Sequence, residues 1–170
     1  QRVADRVQYW THRADHEIPF LWRFHAVHHS APYMDWMAGS RLHMFELIAT
    51  RVSILGVLYV LGFTEASMNV YIVIVGFQAV FNHANVRLPE AFGRAPLKWL
   101  IVTPDFHHWH HSSEREAIDR NYAAHFAFID YIFGTAVKSD RRFPGKYGVL
   151  GDYMPSGFVK QQLFPFTWKK

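Results

Sequence analysis

Twelve histidines stand in 170 residues, and their spacing restricts the folds open to this chain. His12-x-x-x-His16 comes first, His25-x-x-His28-His29 follows, and His107-x-x-His110-His111 lies far downstream. Residues at i, i+3 and i+4 share one face of an α-helix, so each cluster aims two or three imidazoles at one point. Imidazole is a good ligand for zinc, copper, iron and nickel. Eight such rings exceed what one ion takes. They suit two metal ions with a position left open for a small ligand, as in catalytic rather than structural sites. The fold must therefore bring distant helices to a common centre.

Composition narrows the alternatives. The chain has no cysteine, which excludes disulfides, zinc–thiolate sites, iron–sulfur clusters and thiol nucleophiles. Net charge is +4 with no dense basic stripe, a poor match to nucleic acid. Basic and aromatic residues together suit contact with a membrane surface. The length suits one domain, read as residues 1–143, followed by a Gly/Pro-containing tail over 144–170. The chain begins at Gln1 with no signal-peptide pattern, and is read as a fragment lacking N-terminal membrane helices.

Residues 1–30 read as helical and aromatic, with Pro19 the break between two helices and Ser30-Ala31-Pro32 the end. Residues 44–82 hold no histidine. Two largely apolar runs, Val52–Phe63 and Val70–Phe81, flank Thr64-Glu65-Ala66-Ser67. Each core run is short of the roughly 20 residues a span needs. Extension to 45–63 and 67–84 reaches spanning length and places Glu46, Arg51 and Asn82 at the interface. The expectation is a membrane hairpin over about 45–84, shallow or re-entrant; the alternative is two buried helices of a soluble core. All 18 Lys and Arg lie outside residues 52–86, so both hairpin ends are expected to face the cytoplasm. A hairpin returns the chain to the side it left, so early and late histidine clusters can share one site. Residues 85–106 read as a basic, proline-punctuated connector with Trp99–Val102 along the interface. Helix resumes near 106–111, and Phe143–Pro165 reads as loop with little regular structure. The fold class is thus all-α: an integral membrane helical protein with a transmembrane hairpin and a cytosolic helical cap carrying the histidines.

His83, at the cytoplasmic end of the hairpin, is a ninth candidate ligand. His108 lies about 100° further round the helix than His107 and is expected behind the ligands or exposed. His43 and His125 stand alone and read as structural or pocket-lining. Ligating histidines usually donate their other N–H to a carboxylate or carbonyl. Asp15, Asp105, Asp119 and Asn121 are the candidates for that support, with helix capping or surface charge as the alternative. Soluble di-iron bundles use Glu-x-x-His pairs, and none occurs here. No His-Glu-x-x-His, Gly-x-Ser-x-Gly or glycine-rich phosphate loop appears, so electrons must come from a partner protein.

Several stretches together resemble the fatty acid hydroxylase/sterol desaturase superfamily. They are Tyr9-Trp10-Thr11-His12-Arg13-Ala14-Asp15-His16, Leu21–Ser30 with its His25, His28 and His29, and Phe81-Asn82-His83-Ala84-Asn85. Downstream come Thr103-Pro104 leading into His107–Ser112, then Asp119-Arg120-Asn121-Tyr122 and Phe133-Gly134-Thr135. The resemblance implies a membrane-embedded di-iron oxygenase with its site on the cytosolic face, in a bacterial inner membrane or the endoplasmic reticulum. It implies two iron ions, O2 as co-substrate and an external cytochrome b5-, ferredoxin- or rubredoxin-like electron carrier. The ligands it implies are His12, His16, His25, His28, His29, His83, His107, His110 and His111. Ala123 stands where the family commonly has Gly, Ile129 where Trp is common, and Arg87 where some fatty acid hydroxylases carry another histidine. That last departure points to the sterol desaturase-like branch. The expected reaction is hydroxylation of an unactivated C–H bond of a lipid. The alternatives are desaturation on the same scaffold and a non-catalytic membrane metal-binding module. Trp22, Trp36, Phe45 and Phe126 are expected to line the substrate's path.

Overall fold

The computed structural model describes residues 2–139, 142–151 and 153–168. These contain helices and loops, with one isolated β-bridge, Ser112 to Tyr147, and no strand. Residue 152 and the last two residues of the expected tail lie outside the described residues.

Helix α1 (Arg2–Glu17) and α2 (Pro19–His29) are separated at Ile18, which is extended (ψ 113°). Proline disfavours the helical region for the residue before it and itself fits the first helical turn. The break comes where Pro19 predicts it, and the two helices pack on each other.

Helices α3 (Met44–Val60) and α4 (Glu65–His83) occupy the two arms of the expected hairpin. Thr64 caps α4, its hydroxyl accepting from the Ser67 N–H, so the punctuating tetrapeptide is a helix start. Among the described residues no helix is long and apolar enough to cross a membrane. Glu46 and Asn82 are also not interfacial. Both are buried, because each has a polar partner inside: Glu46 the His25 ring, Asn82 the Gln78 amide and the Ala124 carbonyl. The inner face of the hairpin packs Ile54, Leu58, Tyr71 and Val75 around Ala4 of α1. Its outer face is apolar and bare: Val60 is 82% exposed, Phe77 75% and Val52 65%.

Two short helices come next, α5 (Leu97–Leu100) inside the expected connector and α6 (Pro104–His110) at its end, and α6 packs against α4. Then comes α7 (Phe128–Phe133), closed by Gly134 in the left-handed region (φ 70°) that glycine adopts without strain. The tail departs from expectation. Phe158–Thr167 is a ten-residue helix, α8, packed on α2. Pro165 lies within it; the Phe164 and Gln161 side chains are buried, so tertiary contact supplies what composition withheld.

A buried carboxylate organises the loop between α6 and α7. Asp130, 0% exposed, accepts the Tyr122 N–H at 2.9 Å, the Ala123 N–H at 2.8 Å and the Thr135 hydroxyl at 2.6 Å. Asn121 donates to the Phe106 carbonyl and accepts from the Val137 N–H. Asp119 and Asn121 have φ of 55° and 57°, a conformation Asp and Asn tolerate better than most residues. The loop thereby presents the Arg120 and Tyr122 carbonyls inward.

Candidate metal centre

The nine predicted histidines gather into two groups, each with its ligand atoms within 4.8 Å of one another. His12, His16, His25, His29 and His110 form one; His28, His83, His107 and His111 form the other. They abut, with the His29 and His111 rings stacked at 4.3 Å between centroids. Helix geometry divides each His-x-x-His-His triplet. Residues at i and i+4 are about 40° apart round the axis, while the i+3 residue falls on their other side. Accordingly His25 and His29 of α2 enter the five-ring group and His28 the four-ring group. The second triplet reverses this: His107 and His111 join the four-ring group and His110 the five-ring group.

The outer nitrogens fix the inner ones. A carbonyl only accepts, so Nδ1 carries the proton in His12 (to Tyr122 O, 2.7 Å), His28 (to Arg41 O, 3.0 Å), His83 (to Ala79 O, 2.7 Å) and His110 (to Arg120 O, 2.8 Å). In each neutral ring Nε2 is then a bare lone pair. The Nε2 atoms of His28 and His83 are 3.2 Å apart, as are those of His83 and His107 and those of His107 and His111. In the other group His25 Nε2 lies 3.2 Å from that of His12 and 3.1 Å from that of His29. His16 Nε2 and His110 Nε2 are buried with no hydrogen-bond partner. His28 and His83 thus face each other with opposed lone pairs, which repel at this distance, and a cation shared between them relieves the repulsion. The donor set fits metal ions on that ground.

Electrostatics agree. Burial first, then the repulsion of neighbouring rings, pulls His16, His28, His29, His107, His110 and His111 well below the ordinary histidine value. Burial likewise takes His12 down to about 3. Neutral imidazole is the ligating form. His25 is the exception: burial lowers it, but the Glu46 carboxylate, 2.7 Å from its Nδ1, overcomes that and raises it.

The expected supporting residues divide. Asp119 reaches His16 Nδ1 at 3.4 Å. Asp15 joins His25 and Glu46 in a third close group, and burial pushes its carboxyl up to about 6, with His25 opposing and Glu46 adding. Asp105 pairs instead with Arg142 at 3.4 Å, and Asn121 holds the loop backbone; neither hydrogen-bonds a predicted ligand. His108 is not exposed but 1% accessible, bonded to the Tyr147 hydroxyl at 2.9 Å. His43 caps α3 through its Nδ1 and donates to the Gln162 carbonyl, a structural role. His125 bonds Asp5 and lines a cavity.

That cavity, about 150 Å³, lies between α1, α3 and α4 with His12, His25, His28, His83 and His107 along one wall. Leu42, Leu47, Val75 and Ala79 line the rest with Gln8, Thr50 and Arg51. None of the four aromatics expected there contributes. Trp22 lines a different cavity beside His16, His29 and His110; Trp36 and Phe45 are exposed; and Phe126 packs on the core around Tyr9. Two residues escaped sequence reasoning. Glu46 sits in an apolar context, and Gly39 lies so close to His83 that an added Cβ would stand 3.0 Å from its Nδ1.

Frame and site together define an all-helical protein that buries nine imidazoles as a histidine-walled centre able to hold metal ions. Comparison with known sequences gives the family. The fatty acid hydroxylase model matches residues 2–135, and the chain belongs to that family. It is 29% identical to an ornithine lipid hydroxylase of Rhizobium tropici over 98% of this chain and 49% of the relative. An alkylglycerol monooxygenase of Danio rerio is 28% identical over 98% of this chain and 36% of its own length. A very-long-chain aldehyde decarbonylase of Oryza sativa is 33% identical over 77% and 22%. The chain thus spans half or less of the length of these relatives. No solved structure matches it.

Proposed function

We propose that this chain carries the catalytic centre of a membrane-bound, O2-dependent di-iron oxidoreductase that hydroxylates an unactivated C–H bond of a lipid. The observation that carries the reading is the pair of abutting imidazole groups with opposed Nε2 lone pairs, opening on a largely apolar cavity. Iron is taken from the family, since an all-imidazole donor set does not choose among zinc, copper, iron and nickel. Iron reduced from outside and supplied with O2 would furnish the oxidising power for C–H cleavage.

The protein's own residues do the rest. Tyr122, Arg41, Ala79 and Arg120 carbonyls hold the Nδ1 protons and so keep Nε2 free for the ions. Leu42, Leu47, Val75 and Ala79 hold an alkyl chain and exclude water from the wall where both groups are reached. The bare apolar face of α3 and α4 suits lipid contact, which supports entry of the substrate from a bilayer. The distribution of Lys and Arg supports a cytosolic site, in a bacterial inner membrane or the endoplasmic reticulum. An external cytochrome b5-, ferredoxin- or rubredoxin-like protein would deliver electrons. The activities named for the Rhizobium tropici and Danio rerio relatives, a hydroxylase and a monooxygenase, favour oxygen insertion over desaturation.

The test is mass spectrometry of lipids from cells with and without the full-length gene. Gain of one oxygen in a lipid class supports hydroxylation. Loss of two hydrogens moves the reading to desaturation, and no change in any lipid class refutes both. His110→Ala should lower bound iron and abolish turnover.

A further inference from the structure

The two imidazole groups do not have equivalent surroundings. In the five-ring group His25 donates its Nδ1–H to the Glu46 carboxylate at 2.7 Å, and His16 Nδ1 faces Asp119 at 3.4 Å. Asp15 adds a third carboxylate within 4.8 Å of His25 and Glu46. In the four-ring group the outer nitrogens of His28 and His83 meet neutral carbonyls only. Those of His107 and His111 are buried with no hydrogen-bond partner.

This difference acts on metal affinity in one direction. A carboxylate behind an imidazole fixes the ring and raises its basicity, and its negative charge attracts the cation beyond it. A ring with an orphaned Nδ1 must bury an unsatisfied N–H whenever Nε2 serves as the ligand, which weakens binding there. The first group also offers one more imidazole. Resting on the dimetal reading above, we infer that the two ions are held unequally: the five-ring group fills first and binds more tightly, and Glu46 is a positioning residue for it through His25. The four-ring group has its own independent handle in Gly39, whose Cα hydrogens leave only enough room for the His83 ring.

Cobalt(II) titration of the full, metal-stripped chain in detergent tests this, read by visible absorption and by the number of ions bound. The wild type should take two cobalt ions in two resolved steps. Glu46→Gln should weaken the tighter step by about 10–100-fold, the usual effect of losing such a partner, and leave the weaker step in place. Glu46→Asp, which keeps the charge, should restore part of the loss. Gly39→Ala should shift only the weaker step. Should E46Q fail to fold, Asp119→Asn should show the same selectivity with a smaller effect, since Asp119 is half exposed and further from its ring. Two steps of equal affinity, or E46Q acting on the weaker step, would overturn this inference and leave the dimetal reading standing. Fewer than two ions on the wild type would overturn the dimetal reading and this inference with it.

Discussion

Asp130 touches no histidine, yet its replacement should reach the centre. The perturbation is Asp130→Asn, which keeps size and shape. In the native loop the two carboxylate oxygens accept two backbone N–H groups and one hydroxyl, at 2.9, 2.8 and 2.6 Å. A carboxamide has one oxygen, so its nitrogen must face either the Tyr122 or the Ala123 N–H, donor against donor. One buried N–H then goes unsatisfied, costing about 1–3 kcal/mol, and the charge assistance to the remaining bonds is lost, together about 3 kcal/mol. For a chain of this length about 3 kcal/mol corresponds to roughly 6–12 °C of melting temperature. The assay is thermal unfolding followed by circular dichroism at pH 8. Burial raises the Asp130 carboxyl, against the pull of its three hydrogen bonds, and an alkaline buffer keeps it ionised. Because the loop presents the Tyr122 and Arg120 carbonyls to His12 and His110, cobalt binding at the five-ring group should weaken in parallel. A melting point within about 2 °C of wild type, with unaltered metal binding, would refute the reasoning, since it would mean that the orphaned N–H finds another partner cheaply.

Two further outcomes follow. Without metal, stability should fall with acidity. The rings of His12, His16, His28, His29, His107, His110 and His111 are depressed in the fold, so below the unfolded value of 6.5 the unfolded chain binds more protons. Each such ring removes about 1.4 kcal/mol per pH unit from there down to its folded value; His25 and the raised carboxyls of Asp15, Asp119 and Asp130 oppose but are fewer, so a metal-stripped protein that melts no lower at pH 5 than at pH 8 would contradict this. On the hairpin, Val73→Glu and Phe77→Glu lie four residues apart on an exposed face, 56% and 75% accessible. They should leave melting almost unchanged but cut flotation with phosphatidylcholine vesicles, and undiminished flotation would remove this face from lipid contact.

The histidines were legible because helical spacing is a local property. A ring at i+4 projects with its partner wherever the helix goes, and the hairpin's return brings the ends together. Their division between two groups is not local. His28 and His110 part from their neighbours because α2 and α6 each present two sides to different surroundings, and only the packing of α4 on α6 and of α1 on α2 says what those surroundings are. Composition likewise hid α8, whose proline and flanking glycines read as loop until α2 supplied a surface for it.

Glu46 shows where such reading stops and what extends it. Beside a long apolar run, a lone carboxylate near a helix start looks like an interfacial charge or a dipole partner, and both readings place it in water. The fold buries it instead, 21 positions from the histidine it holds. A buried charge is expensive unless paired, so its survival at the foot of an apolar helix requires a donor there. The same reasoning reaches Asn82, whose amide would be costly beside Phe81 and Val80 without the Ala124 carbonyl and Gln78 to meet it. Asp5, on the far more polar α1, is likewise buried against a partner, His125. Glu46 of α3 and Asn82 of α4 line the cavity on which the imidazoles open, and Asp5 meets it only through His125. Polar residues that interrupt apolar helices are thus a better guide to this site's walls than its aromatics, because burial without a partner would have cost each of them more than its helix could supply.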